Sequence, residues 1–108
     1  MTTDEFNKIV QEQMDICAKV LMNKAQEYAT EDRLHNFKIA AALQNQTPKE
    51  ALAGMLAKHT VSIFDMCRCP ADLPPFLWDE KITDHINYLL LLKAVVTEAY
   101  KKPLAENT

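Results

Sequence analysis

The chain has 108 residues, 48% of them hydrophobic and 25% charged, with a net charge of −3 and a single glycine. One glycine excludes Gly-rich phosphate loops and argues against β-hairpins, so the chain reads as all-α, and its length predicts one domain over 1–108 that is small enough to lean on a partner subunit. No Lys/Arg cluster exceeds a pair, which excludes a nucleic-acid duplex as partner; the short apolar runs and acidic start predict no signal peptide, no membrane span and a cytoplasmic location. Cys17, Cys67 and Cys69 are odd in number and read as reduced thiols, with Cys17 on an apolar helical face.

Thr2 three residues ahead of Glu5 makes a capping box, and Phe6, Ile9, Val10, Gln13, Cys17, Val20, Leu21 and Tyr28 then trace a buried stripe, predicting a first helix over about 3–28. Lys24 and Glu27 lie one turn apart near its end. Thr30 with Glu31 and Asp32 predicts a second start, and Leu34, Phe37, Ala40, Ala41 and Leu43 carry a short amphipathic helix to 43. Asn36 and Lys38 are polar positions beside Phe37, and Gln44-Asn45-Gln46 is a polar turn.

Thr47-Pro48-Lys49-Glu50 reads as N-cap, Pro at the first helical position and Glu closing a second capping box. The third helix that follows has a core stripe of Leu52, Met55, Leu56, His59, Ile63 and Met66 and stops before Pro70. A second stripe, Gly54, Lys58, Ser62 and Asp65, is small or polar, and Gly54 permits close approach of a helix or ligand. After the rigid loop 70–75, Phe76, Leu77 and Trp78 anchor the stretch around which the chain is organised, Trp78 to Val96, a helix apolar on nearly all sides and therefore central in a bundle of four main helices. Residues 103–108 are expected to form a tail.

Into this central helix are set Glu80, Asp84 and Asn87, which project from one face and are costly to bury unless something pairs with them. Carboxylates from three of the helices, Glu27, Asp65, and Glu80 with Asp84, are candidate ligands for Mg²⁺, a hard ion that takes oxygen donors and bridges to substrate phosphates. Lys24 and Lys58 are candidates to meet phosphate charge, Asn36, Ser62 and Asn87 to hydrogen-bond a ligand, and Phe37 to wall a stacked base. Leu92, Val95 and Val96 exceed what a lone bundle needs to seal its core, so a homo-oligomer using the first and last helices is expected.

The run Glu80-Lys-Ile-Thr-Asp84-His-Ile-Asn87-Tyr88-Leu-Leu-Leu-Leu resembles the acidic helix of the all-α nucleotide pyrophosphohydrolases of the MazG and dimeric dUTPase type. Lys24, Glu27-Tyr28, Asn36-Phe37, Lys58 and Asp84 with Asn87-Tyr88 are similar to small phage and prophage proteins called nucleotide-modification-associated. The resemblance spans residues 24 to 92 and implies an all-α bundle that binds a nucleotide or cyclic nucleotide, in the host cytoplasm if phage-encoded. It departs in one respect: residues 53–65 lack the Glu-x-x-Glu set that completes the metal cluster in those enzymes. Two functions follow, a Mg²⁺-dependent hydrolase in which the metal orients water toward an α- or β-phosphorus, or a non-catalytic phage protein that sequesters a nucleotide messenger of host defence. A helical adaptor without ligand is the third.

Overall fold

The computed structural model describes the backbone of residues 1–25 and 31–106, and the side chains of 1–23 and 31–101. Within them the chain is all-helical: α1 (Thr3–Ala25), α2 (His35–Leu43), α3 (Pro48–Arg68) and α4 (Pro75–Glu106), with no strand among the described residues. No helix among them is long and apolar enough to cross a membrane.

The predicted caps form. Thr2 Oγ1 accepts from Glu5 N and Glu5 Oε2 accepts from Thr2 N, 3.1 and 3.0 Å, at the start of α1. Thr47 and Glu50 make the same reciprocal pair ahead of α3, with Pro48 where a missing N–H costs nothing. The start of α2 differs. Thr30 lies outside the described residues, and the helix begins at His35; Asp32 precedes it, its Oδ1 accepting from Leu34 N at 3.0 Å. A carboxylate that satisfies a backbone donor two residues on holds a turn rather than a helical first turn.

The end of α2 is built without glycine. Asn45 takes φ of 55°, Gln46 N donates to Ala41 O at 2.8 Å and Asn45 N to Ala42 O at 3.3 Å, the two bonds of a Schellman motif. Asparagine is the side chain that best tolerates this left-handed conformation.

The core lies between α2, α3 and the second half of α4. Leu34, Phe37, Leu52 and Val95 are buried together, with Met55, Tyr88, Leu91 and Leu92 packed around them. Thr60 meets His85 while Leu52 meets Val95, so α3 runs antiparallel to α4. Gln13 meets Thr83, and Leu21 shares a cavity with Asn87 and Leu91, so α1 and α4 ascend together. The helix contacts link α1 to α4, α4 to α3 and α3 to α2. The result is open and long, 52 × 30 × 25 Å with a radius of gyration of 16.8 Å, against about 13 Å for a compact chain of this length.

Three expectations change as a consequence. The α1 stripe is covered only in part: Cys17 is fully buried as predicted, but Phe6, Ile9 and Val10 are about half exposed. Seven residues back from the Gln13–Thr83 pair come Phe6 and Phe76, both exposed. The central helix is longer than predicted, beginning at Pro75 and running past Pro103 to Glu106. Nor is it covered all round, since Leu89 is 51% exposed and Tyr100 75%. Gly54, expected at a close approach, faces open space, with nothing within 4 Å of where a Cβ would sit.

Candidate functional site

On α4 the polar face sinks into the protein as it ascends. Glu80 is exposed, Asp84 half-buried and Asn87 buried. Thr83, which sequence reasoning passed over, is buried one turn below Asn87 and accepts a 2.8 Å hydrogen bond from Gln13 Nε2 of α1. Gln13 also donates to the buried Cys17 sulfur at 3.4 Å. A glutamine within the apolar stripe of α1 was the available signal for such a partner across the helix pair.

Asn87 is not satisfied in this way. It is 5% exposed, and its Oδ1 and Nδ2 are both buried without a hydrogen-bond partner. A buried amide left unpaired costs about 1–3 kcal/mol, so the helix holds two unmet hydrogen-bonding groups in its polar column. They border a cavity of about 60 Å³ lined by Leu21, Arg33, Phe37, Asp84, Asn87, Tyr88 and Leu91. Phe37 is buried, and the Tyr88 ring lies against His59 of α3 with centroids 4.5 Å apart. Arg33, ahead of α2, lines the same cavity, with its Nη1 buried. It stood in the sequence between Asp32 and Leu34 with no pattern to single it out.

Three sequence-predicted residues, Phe37, Asp84 and Asn87, therefore come together. Of the other predicted residues whose side chains are described, none lines this cavity. Asn36 is exposed on α2, Lys58 and Asp65 are exposed on α3, Ser62 is half-buried there, and Glu80 is exposed a turn below Asp84. Lys24 belongs to the last turns of α1, its side chain outside the described set, and Glu27 lies outside the described residues altogether. Among the described residues no three His, Cys, Asp or Glu side chains stand close enough to hold a metal ion. Among the described residues Asp84 is the one predicted carboxylate at the cavity, so they do not by themselves make a Mg²⁺ shell.

A larger hollow of about 330 Å³ lies beyond the core, walled by Leu34, Pro48, Val95 and Ala99. Among the described residues, none of the predicted site residues lines it. At its rim Lys38 bridges Asp32 and Glu98 at 2.6 Å each, tying the turn before α2 to α4. The hydrogen bond from Lys38, then that from Leu34 N, holds Asp32 below its ordinary 3.8. The bonds to Asp32 and Glu98 push Lys38 above 10.5.

Comparison with protein-family models found no match, and comparisons with curated proteins and with solved structures found none either. Over the described residues the chain is an open all-α arrangement of four helices with a small cavity beside the longest of them.

Proposed function

We propose that the chain binds a nucleotide at the Asn87 cavity, as a homo-oligomer of the MazG-like all-α type. The observation that carries this is the buried, unpaired Asn87 amide: a donor and an acceptor side by side match a base edge that presents the complementary pair, as Asn does with adenine. A volume of about 60 Å³ takes about two waters at roughly 30 Å³ each. Only a polar edge of the ligand enters it, with Phe37 and Tyr88 as aromatic flanks, and the sugar and phosphates lie outside. Arg33 then supplies a planar guanidinium for phosphate.

That guanidinium is the specific observation favouring the second reading, a phage protein that sequesters a nucleotide messenger without hydrolysing it. Arginine meets phosphate without a metal, whereas hydrolysis needs Mg²⁺ on Asp84 with Glu27, Asp65 or Glu80 brought to it. When bound, Mg²⁺ would supply charge neutralisation and an activated water; what the described side chains do is orient the base and hold the phosphate end.

Calorimetry with nucleoside triphosphates and cyclic nucleotides, in Mg²⁺ and again in EDTA, tests both. Binding that survives EDTA and falls with Arg33→Ala supports sequestration, and turnover abolished by EDTA supports the hydrolase. No binding in either condition removes the nucleotide reading and leaves the adaptor.

A further inference from the structure

We infer that the uncovered face of α4 is a self-complementary seam on which a second copy of this chain packs antiparallel, leaving the Asn87 cavity on the outer side. This deepens the oligomer proposed above and does not depend on what Asn87 binds.

The face is defined by exposure. Thr83, Asn87 and Val95 are buried on the side of α4 that meets the other helices, while Ile82, Leu89 and Tyr100 are exposed by 37%, 51% and 75%. Between the latter fall Ile86 and Val96, half-buried, and Lys93, exposed. Ile82, Ile86, Leu89, Lys93, Val96 and Tyr100 follow one another at steps of four, three, four, three and four. That spacing is the seam of a coiled coil, and an exposed apolar row of this length is characteristic of an interface. Leu89 lies two residues from Asn87, about 200° round the helix at about 100° per residue. The seam and the cavity are on opposite sides.

Area indicates what covers it. A compact monomer of 12.3 kDa exposes about 6,100 Å² by the size scaling of folded proteins; this chain exposes 8229 Å². The surplus, spread over the whole open chain and shared by the α4 row, is of the order that one subunit buries in an obligate homodimer, where the two together bury about 2,000–5,000 Å².

Orientation follows from Lys93. In a parallel pair Lys93 would face its own copy, two like charges in an apolar seam. Turned antiparallel about position 91, the row pairs Ile82 with Tyr100, Ile86 with Val96 and Leu89 with Lys93 of the other copy. The Lys93 stem then covers Leu89 while its ammonium reaches solvent. A twofold contact of this kind closes on itself and stops at a dimer.

The test is light scattering of the full chain with Leu89→Asp and Lys93→Leu, plus disulfide trapping in a Cys67→Ser, Cys69→Ser background. Wild type is expected to be a dimer at micromolar concentration, with circular dichroism unchanged but dissociation at least tenfold easier in Leu89→Asp, and tenfold tighter association in Lys93→Leu. Oxidising a mixture of Leu89→Cys and Lys93→Cys chains should link one to the other, with neither linking to itself. An oligomer indifferent to both substitutions overturns the seam but leaves the oligomer standing. Self-linking of Lys93→Cys overturns the antiparallel arrangement. A wild-type monomer overturns seam and oligomer together and gives the face to a different protein.

Discussion

On the proposed reading, Asn87 sets stability against ligand binding in a single side chain. Replacing an unpaired buried amide with an apolar group of similar size removes the desolvation cost, so Asn87→Leu is expected to stabilise the fold by about 1–2 kcal/mol while abolishing nucleotide binding. Thermal denaturation and calorimetry on the same preparation check the pair of effects; a loss of stability would mean that the amide is satisfied within the chain. Asp84→Ala, at the half-buried wall of the cavity, should weaken binding tenfold or more, about 1.4 kcal/mol, and leave helical circular dichroism intact. The left-handed Asn45 makes a contrasting case with no ligand involved. Asn45→Val places a branched side chain at φ of 55° and should cost about 1–2 kcal/mol, whereas Asn45→Gly should be neutral or stabilising.

Among the elements, α2 is the shortest and is held by the Lys38 bridge as well as by its apolar face. The pH dependence of that bridge has a definite sign. Asp32 is held below 3.8, so its contribution is present above that value and is lost as pH falls through its lowered folded value. Lys38 is raised above 10.5, so its contribution is present below that value and is lost as pH rises through its raised folded value. Both side chains are more than a third exposed, which keeps the effect small. Lys38→Met should therefore lower Tm by a constant small amount at neutral pH, with the gap to wild type closing at both extremes; a gap independent of pH would assign the effect to packing. At α3, Thr47→Ala removes the hydroxyl that accepts from Glu50 N, leaving the backbone half of the capping box, and should cost about 1 kcal/mol, measurable by urea denaturation.

For the whole molecule, the chain of contacts from α1 to α4 to α3 to α2 leaves apolar residues of α1 and α4 in water. If a second copy covers them, association and folding are linked, and Tm should rise as protein concentration is raised a hundredfold. Scanning calorimetry over that range checks this; a constant Tm would mean that each chain is stable alone.

The sequence alone determined what depends on neighbours within a few turns. All-α class follows from helical periodicity and a single glycine, the caps at Thr2 and Thr47 from side chains reaching backbone three residues away, and the stop before Pro70 from local sterics. The polar column of Asp84 and Asn87 was legible for the same reason, since residues one turn apart share a face whatever the fold. Only the tertiary structure decided which apolar stripe is covered. Phe6, Ile9 and Val10 carry the same periodicity as Cys17, yet burial depends on whether another helix lies opposite, and that is a matter of where helices far apart in sequence cross. Thr83 finding Gln13, Arg33 reaching the wall beside Asn87, and Lys58 and Asp65 remaining apart from that wall are of the same kind. Such pairings depend on distances between helices, which periodicity along one helix does not contain.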